Sequence, residues 1–195
     1  MSISPESGVS KPGRLPGDLA MWFFILAELT VFAILILAFV VAQVLYPEMF
    51  DEGRQALDSS IGLALTLSLL TSGLFAAMAV EQVRGRRPLA ASALLAAAVV
   101  VSCVYVVMKM NEYLHLGGLG LDIERNTFFT LYWILTGFHF LHVLLGMVIL
   151  AWMAVRCRQR LYTPESCSGL ESGVLYWHMV DLVWVLLFPL VYVLN

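Results

Sequence analysis

A histidine and an aspartate lie three residues apart near the C-terminus, inside an almost wholly apolar run. His178 and Asp181 belong to the segment 174–194, which is long enough to cross a bilayer. Residues at i and i+3 share one face of a helix, so the two side chains must point the same way. An ionisable group at the bilayer centre costs at least about 2.5–3.5 kcal/mol, so we expect that face to meet protein rather than lipid.

Among the ionisable residues inside other apolar runs, Glu28, His139 and His142 are candidates to meet this face. Glu28 follows an aromatic run, and His139 and His142 are again three residues apart. The glycines Gly137 and Gly146 flank the two histidines and are predicted to let a neighbouring helix approach closely. We predict a helical bundle organised around one buried polar layer, made of Glu28, His139, His142, His178 and Asp181.

Two kinds of chemistry are open to this layer. The carboxyl groups of Glu28 and Asp181 can handle protons, or they can fix helix packing through hydrogen bonds. His178 can ligate a haem together with His139 or His142, or all three histidines can form hydrogen bonds between helices. We favour the structural role, because a di-iron bundle needs repeated Glu-x-x-His pairs that the sequence does not supply, and we predict no metal site.

Other charged residues lie near the ends of the apolar runs. Lys109 and Glu112 are three apart near the outer end of the third run, and we expect an exposed interface pair that contributes well under about 1 kcal/mol. Arg84, Arg86 and Arg87 form a basic cluster between the second and third runs. Such a cluster can hold phospholipid headgroups, although the determination of topology is a sufficient explanation.

The composition places these residues in a membrane protein. Of the 195 residues, 61% are hydrophobic and 13% are charged, which excludes a soluble globular domain. Helix is the only sensible state for the apolar runs, because a lone strand would leave backbone groups unpaired in lipid. The fold class is therefore all-α, a polytopic bundle of five transmembrane helices over 18–195, with spans at about 19–46, 61–83, 89–110, 128–155 and 174–194.

The basic residues predict the orientation of the bundle. Eight of the 11 Lys and Arg residues lie in the N-terminal tail or beside the second and fourth loops, and three lie on the opposite side. By the positive-inside rule the N-terminus is cytoplasmic and, after five spans, the C-terminus is outside. The tail 1–17 is rich in Ser, Pro and Gly, and we predict that it is disordered.

Four strings, taken in order, make this sequence resemble subunit III of the haem-copper respiratory oxidases. The resemblance covers nearly everything from Pro16 to Tyr192. Five spans and brief loops make the chain most similar to the five-helix form, and within it to the type associated with nitric oxide reductase. The strings are Ala27-Glu28 after its aromatic run, Asn111-Glu112-Tyr113, Thr136-Gly137-Phe138-His139 with His142-Val143 and Gly146, and Tyr176-Trp177-His178 with Val180-Asp181 and Val183-Trp184.

The resemblance implies an accessory subunit without an active site. Members of this family bind no haem or copper; these lie in the large catalytic subunit, beside which subunit III packs, often with phospholipid between its helices. The resemblance thus implies a catalytic haem-copper partner in a bacterial inner membrane. It also implies that the chain stabilises the assembly of this complex and supports proton uptake during aerobic or denitrifying electron transport. Two alternatives stay open, a small bis-histidine membrane cytochrome and a proton carrier that uses Glu28 and Asp181.

Overall fold

The described part of the chain consists of helices and short connections. The computed structural model describes residues 19–164 and 166–194. Five of its helices are long and apolar enough to cross a membrane, and the described residues contain no strand beyond one isolated bridge. The predicted all-α bundle of five spans is therefore confirmed. The six helices are α1 (Leu19–Leu45), α2 (Pro47–Gln55), α3 (Ser59–Arg84), α4 (Pro88–Gly118), α5 (Thr127–Arg158) and α6 (Ser168–Tyr192).

Four of the spanning helices form a ring, and the first span packs on the outside of it. α3 and α5 each pack against both α4 and α6, while α1 lies along α5 and α6. The most apolar part of α6 is 61% buried, compared with 17% for α1. The helix that carries His178 and Asp181 is therefore central, and the helix that carries Glu28 is peripheral.

The helices differ from the predicted spans at their ends. α4 continues past position 110 to Gly118, and α6 begins at Ser168 rather than at 174. The apolar pattern marks only the hydrocarbon core, whereas the hydrogen-bonded turns continue into polar sequence. The predicted loop between the first two spans contains α2, whose Phe50 packs edge-on against Phe39 of α1 and Phe128 of α5. The predicted tail 1–17 lies outside the described residues.

Two ends of the bundle can be distinguished by their charge. Because consecutive spans alternate in direction, the connections 85–87 and 159–167 lie at one end, which we call the basic end. The connections 46–58 and 119–126 lie at the other, which we call the acidic end. The structure does not relate either end to a side of the membrane, so the predicted orientation stays a prediction.

Both connections at the basic end begin with the same backbone motif. At the end of α3, the Arg87 N–H donates to the Gln82 carbonyl and the Arg86 N–H to the Val83 carbonyl. Leu161 and Arg160 make the corresponding two bonds at the end of α5. This is the Schellman motif, which places the residue after the C-cap in the left-handed region and usually has glycine there. Here Arg86 and Arg160 occupy that position, each with φ of 58°, at a cost of about 1–2 kcal/mol apiece.

Candidate functional site

The peripheral helix is joined to α5 by a carboxyl–imidazole pair. Glu28 Oε2 lies 2.9 Å from His142 Nε2, and the two side chains are 21% and 10% exposed. The ring of Phe32, one turn along α1, packs edge-on against His142 at a centroid distance of 5.2 Å. The pair is thus partly shielded, and it cross-links α1 to the four-helix ring.

The hydrogen bonds of His142 fix how many protons this pair can hold. Its Nδ1 lies 2.9 Å from the carbonyl oxygen of Phe138, which can only accept, so Nδ1 carries a proton. One further proton then lies between Nε2 and Glu28, on either the carboxyl group or the ring. In both cases the pair has no net charge, which lowers the free-energy cost of burying it in an apolar bundle.

His178 and Asp181 do point the same way on α6, as their spacing predicts. His178 Nδ1 lies 3.0 Å from Asp181 Oδ2. Asp181 is buried beside Gly73 of α3, where any Cβ would collide with its carboxylate. The expectation that the whole face meets protein is corrected for His178, whose side chain is 41% exposed.

His139 has no polar partner among the described residues. It is fully buried, and neither ring nitrogen makes a hydrogen bond there. Its ring stacks on Trp184 with a centroid distance of 5.1 Å, and the rings of Phe32 and Tyr105 lie 6.2 Å away. A haem between His139 and His178 would have to displace this aromatic packing.

The structure does not connect the five predicted side chains into one layer. Glu28 with His142 forms one pair, His178 with Asp181 forms another, and His139 stands apart. No hydrogen bond between described residues joins the two pairs. The reason is that Glu28 is on the peripheral helix and pairs with α5, whereas Asp181 is beside α3.

Another polar site lies near the acidic end, and its side chains form more hydrogen bonds with each other than either of these two pairs does. Lys109 Nζ donates to Glu112 Oε2 at 3.1 Å, to the Tyr132 hydroxyl at 3.0 Å and to the Tyr192 hydroxyl at 2.8 Å. Both tyrosine hydroxyls donate in turn to Glu112 Oε1, at 2.9 and 2.7 Å. All three ammonium donors are therefore satisfied, and the network ties α4 to α5 and α6.

The predicted pairing of Lys109 with Glu112 is found, but the predicted exposure is wrong. Their side chains are 0% and 6% exposed. The ammonium group also lies 4.8–5.5 Å from four aromatic ring centroids, those of Tyr113, Tyr132, Trp184 and Tyr192. Sequence reasoning missed Tyr132 and Tyr192, because a tyrosine near a span end has the same pattern as an ordinary interfacial aromatic residue.

The arginines proposed for a headgroup site differ in their surroundings. Arg84 contacts Glu81 at 2.7 Å and Glu171 of α6 at 2.8 Å, so its charge is already balanced within the protein. Glu171 also lies 3.3 Å from the Cys167 sulfur, and burial raises the pKa of that thiol so that it stays a donor. Arg84 therefore links α3 to α6, and its predicted contact with a lipid headgroup stays a prediction. Arg86 and Arg87 line a cavity at the basic end.

No group of three or more His, Cys, Asp or Glu side chains in the described ranges is placed to hold a metal ion. The sequence does contain one Glu-x-x-His pair, Glu112 with His115. However, Glu112 faces Lys109 inside the bundle while His115 is exposed. The two do not converge, so this pair has none of the geometry of a di-iron ligand set.

Comparison with known proteins identifies the family. A family profile described as Cytochrome c oxidase subunit III matches residues 17–195. Cytochrome c oxidase subunit 3 of Synechocystis sp. is 29% identical over 192 residues, which cover 94% of this chain and 81% of the relative. Quinol oxidase subunit 3 of Bacillus spizizenii is 27% identical over 200 residues, covering 100% and 94%. Heme-copper oxidase subunit I+III of Aeropyrum pernix is 26% identical over 179 residues, covering 89% and 22%.

The first two relatives are named subunit 3 of a cytochrome c oxidase and of a quinol oxidase, so the resemblance inferred from the four strings is confirmed. The association with nitric oxide reductase stays a prediction. Because the family profile spans almost the whole sequence, including every residue of both polar sites, this multi-pass helical protein belongs to the cytochrome c oxidase subunit III family.

Proposed function

We propose that this chain is the accessory, non-catalytic subunit III of a haem-copper oxidase in a bacterial cytoplasmic membrane. It packs beside the large catalytic subunit and stabilises it. The observation that carries this proposal is the match of the family profile over 17–195, together with relatives that are named subunit 3 of two kinds of oxidase.

One relative supports direct contact with the catalytic subunit. The name of the Aeropyrum protein joins subunits I and III, and this chain aligns with 22% of its length. Where two subunits are parts of one polypeptide, they have little freedom to lie far apart. The helix α1 gives this chain a broad apolar surface for such a neighbour, since most of its large side chains point away from the ring.

The chemistry of the histidines supports placing haem and copper in the partner. His142 is held by Glu28 and His178 by Asp181, while His139 is enclosed by aromatic rings. A haem ligated by His178 and either other histidine would break at least one of these arrangements. The residues therefore fit a scaffold better than a bis-histidine cytochrome.

Support of proton uptake is the second part of the proposal, and it rests on the Glu28–His142 pair. This pair brings a carboxyl group within 2.9 Å of an imidazole, and these are the two kinds of side chain that most often transfer protons. A self-contained proton carrier is less well supported, because the described residues offer no hydrogen-bonded path from Glu28 to Asp181.

Affinity purification of the tagged chain from membranes in a mild detergent tests this proposal. We expect a haem-bearing large subunit to co-purify, and mass spectrometry of that partner will separate an oxidase from a nitric oxide reductase. Recovery of the chain without any such partner would overturn the proposal. The matched control is the same chain after stringent washing, which should have no Soret band; a band that survives would favour the cytochrome alternative.

A further inference from the structure

Buried polar side chains line the inner face of α4, from the acidic end toward the middle of the four-helix ring. Tyr105, Lys109 and Glu112 follow each other at intervals of four and three residues, so they lie on one face of the helix. Lys109 and Glu112 belong to the hydrogen-bonded site described above. The hydroxyl of Tyr105, which is 0% exposed, makes no hydrogen bond with a described residue. It is therefore a buried donor that still needs an acceptor.

The ring of His139 contacts Tyr105 from α5 and also lacks polar partners. Both of its nitrogens are buried without a hydrogen bond to a described residue, and its centroid lies 6.2 Å from that of Tyr105 in an edge-on contact. No carboxylate in the described part of the chain bonds to this ring, so burial favours its neutral form. A neutral imidazole has one N–H donor and one accepting nitrogen. His139 therefore needs both an acceptor and a donor.

The aromatic rings around His139 can meet only half of this requirement. Phe32 and Tyr105 contact it at interplanar angles of 66° and 79°, and a ring face can accept a weak hydrogen bond from an N–H group. Trp184 stacks on the imidazole, so its face meets the imidazole face rather than an N–H group. None of these ring faces can donate a hydrogen bond. The accepting nitrogen of His139 therefore still lacks a donor.

The polar hydrogens of the neighbouring side chains are already used in other hydrogen bonds. Trp184 donates its indole N–H to Thr66 Oγ1 at 3.0 Å, and all three N–H groups of Lys109 are bound within its own site. The hydroxyl of Thr136, one turn before His139 on α5, donates to a backbone carbonyl at 2.6 Å. The donor that His139 needs therefore has to come from a bound molecule.

Water can supply both of the missing partners, and ordered water commonly satisfies buried polar groups that lack a protein partner. One water molecule can accept a hydrogen bond from the Tyr105 hydroxyl and donate one to the accepting nitrogen of His139. The His139 ring lies 5.1 Å from Trp184 but 6.2 Å from Tyr105, so the contact with Tyr105 is the looser of the two. We propose that the core of the ring binds an ordered water molecule between Tyr105 and His139, which joins α4 to α5.

A cavity at the acidic end lies close to this site along α4. It has a volume of about 430 Å³, and its polar lining residues are Asp58, Asn111, Glu112 and His115. Such a lining suits water, because apolar cavities stay dry. Glu112 follows Tyr105 by two turns on the same face of α4, so the cavity reaches to within about 10 Å of the proposed water along the helix axis. The core site therefore has a polar entrance nearby.

Water-edited solid-state NMR of the full chain with isotope-labelled histidine tests the proposal directly. The chain has four histidines, and the variant His139→Phe identifies the signals of the His139 ring by their loss. We expect rapid transfer of magnetisation from water to this fully buried ring in the wild type. Tyr105→Phe should remove most of that transfer, because the water loses one of its two partners. A wild-type ring that receives no magnetisation from water would overturn the proposal.

Tyr113→Phe is the matched control on the same helix. It also removes one hydroxyl, but this hydroxyl donates to Thr136 Oγ1 at 3.0 Å and so has a partner within the protein. The transfer from water to His139 should be kept in this variant. A loss of transfer equal to that in Tyr105→Phe would contradict a specific water site.

The direction of the change in Tm gives a second test. In a dry core, Tyr105→Phe would remove an unsatisfied hydroxyl and raise Tm, whereas we expect it to lower Tm by about 2–4 °C through the loss of a hydrogen bond to water. Added to His139→Phe, it should lower Tm by less, because the two residues share the water. A raised or unchanged Tm in Tyr105→Phe, or equal losses in both backgrounds, would overturn the proposal. Both tests use the chain alone, so their results do not bear on the proposed oxidase role.

Discussion

The amine of Lys109 has three N–H donors, and each of them finds an oxygen inside the bundle. A buried charge is tolerable only when it is paired and its remaining donors are bonded. Glu112 balances the charge, and Tyr132 and Tyr192 accept the other two bonds while donating back to the carboxylate. The four side chains therefore form a neutral unit whose members depend on each other.

Removing one member of this unit should cost more than removing both charges. We expect Lys109→Met to destabilise the chain by about 3–5 kcal/mol, because it leaves the Glu112 carboxylate buried without a cation. The double variant Lys109→Met with Glu112→Leu should be less destabilised than Lys109→Met alone. Thermal unfolding in detergent measures these two variants and the single variant Glu112→Leu. A double variant whose loss of stability equals the sum of the two single losses would contradict the coupling.

The pair of Glu28 with His142 makes a different prediction, because it holds one shared proton. Glu28→Gln can still donate an N–H to His142 Nε2, so we expect stability to change by less than about 1 kcal/mol. Glu28→Leu leaves that nitrogen without a partner and should cost about 1–3 kcal/mol. Denaturation curves of the two variants, run side by side, give this difference. Equal losses would mean that the hydrogen bond does not stabilise the bundle.

At the scale of the helices, hydropathy predicted the number and type of the spans, but not the partners of the polar residues. Twenty apolar residues suffice to predict a span, because lipid permits little else. The burial of Lys109 depends on tyrosines that α5 and α6 supply, and no pattern within α4 contains that information. For the same reason His178 and Asp181 could be placed on one face, while the neighbouring helix that meets each of them could not be predicted.

The two glycines of α5 illustrate this limit and give a matched test. A Cβ on Gly146 would lie 2.6 Å from the Trp177 ring, whereas a Cβ on Gly137 would meet nothing within 4 Å among the described residues. The predicted close approach is thus confirmed at Gly146 and wrong at Gly137. We expect Gly146→Ala to cost about 1–3 kcal/mol through overpacking.

Gly137→Ala is the control on the same helix, and its free energy of unfolding should stay level or rise slightly, because alanine favours helix. Both variants can be compared by their Tm in one detergent. Similar behaviour of the two would argue against the close packing of α5 on α6.

At the scale of the whole molecule, the distribution of arginines predicts which end faces the cytoplasm. We expect the basic end to be cytoplasmic and the acidic end to be external. Single cysteines can report this in a background where Cys103, Cys157 and Cys167 are replaced. A membrane-impermeant maleimide should label Asp122→Cys on intact spheroplasts and should label Gln159→Cys only after lysis. Both positions are exposed in the structure, so labelling in the reverse order would invert the topology.

The contact between Lys109 and Tyr192 also has a consequence for biosynthesis. The ribosome makes Tyr192 83 residues after Lys109, so the amine enters the bilayer before its last acceptor exists. Until α6 arrives, the nascent chain has a cation in the membrane with two of its three hydrogen-bond acceptors, Glu112 and Tyr132. Insertion of the final helix should therefore be the step that commits the subunit to its mature form, and chains halted before it should be recognised and degraded.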